Sequence, residues 1–133
     1  MTPSTEQVDE RPTHGGVPEA ALVAARAAEE KLGERTVVLS VGELLGVTDA
    51  FVITSGRNSR QVRTIAEEVE RVVKEECGRS PWAVEGLREL RWVLLDYGDF
   101  LVHVFHEEDR AYYDLERLWG DAVRVPWEDA LTR

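Results

Sequence analysis

Apolar residues recur at helical spacing from Val62 through Ile65, Val69 and Val72 to Val73, while Glu67, Glu68, Glu70, Lys74 and Glu75 take the other side. That period predicts an amphipathic helix lying on a sheet. Asn58, followed three residues later by Gln61, resembles a capping box that opens it, and Gly78 is its expected terminator. Upstream, Pro18 suits the first turn of an alanine-rich helix reaching Gly33, with a mixed stripe of Leu22, Ala25, Glu29 and Leu32. Thr36–Val41 and Asp49–Thr54 are rich in β-branched and aromatic residues and read as neighbouring strands joined through Gly42–Gly46. Ser80–Val84 reads as a third strand, Trp92–Asp96 and Phe100–His106 as a hairpin, and Asp109–Trp119 as a final helix. The element order is therefore αββαβββα. It predicts one α/β domain over residues 18–121, with a mixed β-sheet of about five strands and flanking helices. Residues 1–17, with Pro3, Pro12, Gly15 and Gly16, read as a flexible leader, and residues 122–133, with Pro126 and Trp127, as an irregular tail.

The hairpin has two unlike faces. With Asp96-Tyr97-Gly98-Asp99 as the turn and Leu95 opposite Phe100, Trp92 lies opposite His103 and Leu94 opposite Leu101. Val93, Leu95, Phe100, Val102 and Val104 then share a plain core face. The other face carries Trp92, Leu94, Leu101, His103 and Phe105 beside Asp96 and Asp99, too polar for routine packing and too aromatic for a routine solvated surface. It reads as a docking surface. On the last helix Tyr112, Leu115 and Trp119 form a stripe expected in the core, whereas Arg110 and Tyr113 on the adjoining face extend towards a partner.

Charge narrows the choice of partner. A formal net charge of −10 argues against direct binding of nucleic-acid phosphates, which relies on clustered Lys and Arg; it fits a basic protein partner and, equally, a surface charged simply for solubility. The single cysteine, Cys77, has no intrachain partner, so no disulfide framework is expected and a reducing, cytoplasmic setting is natural. No apolar run approaches the ~20 residues needed to cross a bilayer, so no membrane association is expected.

Catalytic chemistry finds little support. Ser55-Gly56-Arg57 at a strand-to-helix junction lacks the lysine and spacing of a P-loop and the further glycines of a dinucleotide fingerprint, and reads as a turn and cap. Asp96 and Asp99 as paired metal carboxylates compete with their ordinary use in tight turns. His103 and His106, an odd spacing apart in a strand, point to opposite faces and are not expected to share one ion. No nucleophile motif accompanies them, so no cofactor, metal or enzymatic activity is expected.

Several ordered motifs together carry a resemblance: Thr48-Asp49-Ala50-Phe51-Val52-Ile53, Ser55-Gly56-Arg57-Asn58-Ser59-Arg60-Gln61, Glu85-Gly86, Trp92-Val93-Leu94-Leu95-Asp96-Tyr97-Gly98-Asp99, Val102-His103-Val104-Phe105 and Arg110 through Trp119. Over roughly Ala20 to Asp121 the chain resembles the ribosomal silencing factor family, RsfS or Iojap. The resemblance implies a nucleotidyltransferase-like fold without that activity. It also implies binding to the large ribosomal subunit through ribosomal protein L-fourteen, which blocks joining of the small subunit and represses translation. Organellar relatives bring in a role in large-subunit assembly. On this reading Trp92, Leu94, Asp96, Leu101 and His103 form the central surface, with Arg110 and Tyr113 extending it. The competing expectations are a metal-dependent nucleotidyltransferase using Asp96, Asp99 and the Gly56 loop, and a scaffold whose Trp92 face pairs with itself in a homodimer.

Overall fold

The computed structural model describes residues 13–14 and 16–128. A two-residue hairpin, β1 (Thr13–His14) and β2 (Val17–Pro18), precedes helix α1 (Glu19–Glu30). Then follow β3 (Glu34–Ser40), a single turn α2 (Gly42–Leu45), β4 (Ala50–Gly56), the long helix α3 (Ser59–Cys77) and β5 (Ala83–Glu85). The chain continues through β6 (Trp92–Asp96), β7 (Phe100–His106), α4 (Glu107–Tyr113), α5 (Leu115–Leu118) and β8 (Val123–Arg124). The predicted order survives with these small additions. Six strands form one sheet in the order β5-β6-β7-β4-β3-β8, in which only the central β4–β7 pair is parallel.

Helices α1 and α3 cover one face of the sheet, where the main core joins Val38, Val52, Val93, Leu95, Phe100, Val102 and Val104 to their apolar sides. Alanines make α1 narrow enough to be buried almost all round between the sheet and α3. Its predicted stripe ends early: Lys31 caps the helix, and Leu32 adopts φ +65 and points outward. Pro18 stands at the N-cap rather than in the first turn. The start of α3 matches its sequence signal, since Asn58 Oδ1 accepts the Gln61 N–H at 2.9 Å and the Gln61 side chain accepts the Arg57 N–H at 2.7 Å. Gly78, at φ +69, ends the helix as expected.

Both expected end segments contribute residues to the fold. The first twelve residues of the expected leader lie outside the described residues, but Val17 is fully buried in the core. Residues 123–127 of the expected tail lie along the outer edge of β3, and 129–133 lie outside the described residues. There β8 pairs with Leu39 and Ser40, the Val125 N–H donates to Val38 O at 2.8 Å, and the buried Trp127 indole donates to Thr36 O at 3.1 Å. An indole held by one bond to a carbonyl 91 positions away and by packing into the main core needs no periodic pattern around it, which is why periodicity missed it.

The hairpin register also differs, by two residues. Leu95 pairs with Val102, Trp92 with Phe105, Leu94 with His103 and Asp96 with Leu101. The loop is shorter than expected because Gly98 takes φ +90, as the first loop position of a II′ turn requires. Tyr97 is thereby free to close the ladder on Phe100, with their rings stacked 4.5 Å apart. A two-residue shift preserves the alternation, so both predicted faces stand. Among the described residues no helix is long and apolar enough to cross a membrane.

Candidate interaction surface

On the sheet face away from α1 and α3, a second apolar cluster joins Leu39, Val41, Phe51, Ile53 and Phe105. Leu115, Trp119 and Ala122 pack on it from the chain after β7, and Trp119 meets Phe51 edge-on at 5.8 Å. Over β6 and β7 the cover is thinner, and Trp92, Leu94, Asp96 and Leu101 remain half-buried. This is the face the hairpin pattern picks out.

The expected single helix is broken. Asp114 adopts φ +50, a conformation that aspartate tolerates better than most residues, and it ends α4 and restarts the chain as α5. The break resets the helical phase, so Tyr112, placed in the core by its spacing, is instead 81% exposed. Its ring meets that of Tyr113 edge-on at 5.0 Å, and Tyr113 in turn lies 4.8 Å from the Trp92 ring. Trp92, Tyr113 and Tyr112 thus form a continuous aromatic row running from the sheet onto α4. Tyr112 is the surface residue that the spacing argument missed; the only sequence clue was an aspartate able to adopt a left-handed conformation.

Two of the residues expected to reach a partner are interior. Arg110 is 2% exposed. Its guanidinium grips the Glu116 carboxylate with Nε and Nη2 at 3.1 and 3.0 Å, and it donates to Glu34 O and Ser55 Oγ at 2.8 and 3.1 Å, and to Arg35 O. Burial pushes the Glu116 carboxyl up, but the Arg110 hydrogen bonds and charge outweigh it and leave that group below its usual range. Arg110 therefore ties α4 and α5 to the ends of β3 and β4. The expectation of an exposed Arg110 is corrected because its planar fork matches four acceptors at one buried point.

His103 is likewise only 5% exposed. Its Nδ1 accepts the Trp92 Nε1–H at 3.1 Å, and its ring stands edge-on to Phe51 at 4.8 Å. Burial pushes its pKa from 6.5 down to about 4. On acidification the unfolded chain takes up this proton first, so stability is lost as pH falls from about 6.5 through about 4. At ~1.4 kcal/mol per unit, His103 is expected to remove about 2 kcal/mol of stability between pH 7 and pH 5. Urea titrations of the wild type and His103→Leu at both pH values check this, since only the wild type should lose that component.

The acidic and second histidine candidates have partners within the fold. Asp96 accepts the Gly98 N–H at 2.8 Å, and Asp99 receives two bonds from Arg79 at 3.1 and 2.7 Å. His106 caps α4, its Nδ1 accepting the Glu108 N–H at 3.2 Å. Among the described residues no group of three or more His, Cys, Asp or Glu is placed to hold a metal ion. Beside Trp92 in sequence, Arg91 pairs with Glu108 and Asp109 at the start of α4, and Asp96 ends β6.

Comparison with known proteins bears on this geometry. A family model described as "ribosomal silencing factor during starvation" matches residues 15–133. The ribosomal silencing factor RsfS of Halalkalibacterium halodurans is 41% identical over 110 residues, covering 83% of this chain and 93% of the relative. That of Bacillus subtilis is 43% identical over 100 residues, covering 75% and 84%. A crystal structure of a protein from Chromobacterium violaceum superposes with a TM-score of 0.72 at 33% identity, covering 77% of this chain and 84% of that one. Together with the mixed sheet and its two-faced hairpin, these matches place the chain in the ribosomal silencing factor family.

Proposed function

We propose that this protein binds the large ribosomal subunit through ribosomal protein L-fourteen, blocks joining of the small subunit sterically, and so represses translation. The observation that carries this reading is the aromatic row of Trp92, Tyr113 and Tyr112 beside half-buried Leu94 and Leu101 on the thinly covered sheet face. Exposed aromatics around an apolar centre are typical anchors of protein interfaces. Family membership supplies the ribosome as partner, and a net charge of −10 supports a basic ribosomal protein rather than bare RNA. Asp96 lies at the rim. Arg110 and His103 act from behind the surface rather than on it. The reaction needs no chemistry: occupying the contact area of the incoming subunit is sufficient.

Mixing the purified protein with separated subunits and following their joining by sucrose-gradient sedimentation tests the reading. Co-sedimentation with the large subunit alone, together with fewer joined ribosomes, is the expected result. Trp92→Ala should weaken large-subunit binding by about 2 kcal/mol or more, roughly 30-fold, as for the loss of a central aromatic anchor. Binding by a folded Trp92→Ala protein at wild-type affinity would reject this face as the docking surface.

A further inference from the structure

Trp92 is held on several sides at once. Phe105 and Tyr113 each lie 4.8 Å from its ring, and its Nε1–H is aimed at a nitrogen inside the sheet face, His103 Nδ1. An indole nitrogen only donates, so the imidazole nitrogen facing it must be unprotonated, and the neutral ring then carries its proton on Nε2. That Nε2 is shut off from solvent and has no hydrogen-bond partner among the described residues. A buried donor left without an acceptor destabilises the fold, whereas an apolar side chain of similar volume would fill the same place among Phe51, Phe105 and Trp92 without that cost. Packing alone therefore does not account for a histidine here. What histidine adds over leucine is a single interaction, the acceptor for the Trp92 indole.

We propose that His103 is a positioning residue for docking: from beneath the surface it fixes the Trp92 indole in the orientation offered to the partner, without touching the partner itself. This rests on the docking reading of the Trp92 face. An anchor whose rotamer is set before contact loses less conformational freedom on binding, so the benefit appears as affinity rather than as stability of the free protein. The surroundings keep the acceptor available. The rings that meet His103 are Phe51 from β4, Trp92 from β6 and Phe105 from its own strand, and burial is what depresses its pKa, so the ring remains neutral through the physiological range.

The test compares the full chain with His103→Leu, which removes the acceptor, and with His103→Asn, whose Oδ1 stands near the place of Nδ1. Three quantities are read: the melting temperature, hydrogen exchange of the Trp92 indole N–H by NMR, and affinity for purified large subunits. His103→Leu should melt at or above the wild-type temperature, exchange its indole proton at least ~10-fold faster, and bind at least ~10-fold more weakly. His103→Asn should recover more than half of the lost affinity, which a simple packing role does not predict. An unchanged indole exchange rate in His103→Leu, wild-type affinity in that variant, or a lowered melting point with no change in binding would each overturn the proposal. If Trp92→Ala itself binds normally, the docking reading falls and takes the purpose of the bond with it; if Trp92→Ala fails to bind while His103→Leu binds fully, only the positioning role falls.

Discussion

Replacing Arg110 by alanine should lower the unfolding free energy by about 3–5 kcal/mol, the range expected when one partner of a buried, hydrogen-bonded ion pair is removed. The guanidinium holds four acceptors at once: the Glu116 carboxylate, the carbonyls of Glu34 and Arg35, and the Ser55 hydroxyl. Without it, Glu116 keeps only its longer pairing with Arg124 at 3.6 Å, and Glu34 O only the Ser55 hydroxyl at 3.3 Å, at a point shut off from water. Arg110→Lys should recover less than half, because an ammonium cannot span these positions as a planar fork does. Urea unfolding at pH 7 measures both variants, and a loss below about 1 kcal/mol for Arg110→Ala would show that the clamp is replaceable by water. Loss of the clamp should also loosen α4 and with it Tyr113, so large-subunit binding should weaken even where Arg110→Ala remains mostly folded.

A comparable effect is expected at the other side of the sheet. Trp127→Ala removes a large side chain that is only 6% exposed, together with its bond to Thr36 O, and should cost about 3–5 kcal/mol by the usual scale for buried tryptophan truncation. This loss should carry a second signature. With the strap released, the outer edge of β3 presents unpaired backbone groups, and sheet edges of this kind pair with other chains. Sedimentation of Trp127→Ala over a concentration series should therefore show self-association that Trp92→Ala, with its strap intact, does not show. A variant that stays both stable and monomeric would mean that β8 and Val125 hold the edge without the indole.

These two residues mark where sequence reasoning stops. The α3 helix and the alternating faces of β6 and β7 were legible because each repeats a local period many times, and a two-residue slip in register leaves the faces unchanged. Trp92 was legible for the same reason. Arg110 and Trp127 were not, since their roles depend on partners 76 and 91 positions away in sequence. An arginine beside tyrosines reads as a surface anchor until the carbonyls of Glu34 and Arg35 are brought to it. Tyr112 was misplaced by a different cause: one left-handed residue, Asp114, takes Leu115 and Trp119 out of helical phase with it. His103 lay between these cases, because its face was predicted correctly while its depth depended on Phe51, contributed by a neighbouring strand.

The strap over β3 also orders events in time. Translation delivers β3 early and its cover, Val123 to Trp127, last among the described elements, with the Trp127–Thr36 bond spanning 91 positions. While the chain is still being made, β3 can pair with β4 on one side, but its other side must wait. A chain folding from its N-terminal part therefore passes through an interval in which β3 is paired on one side only and its other margin is open to strands of other chains.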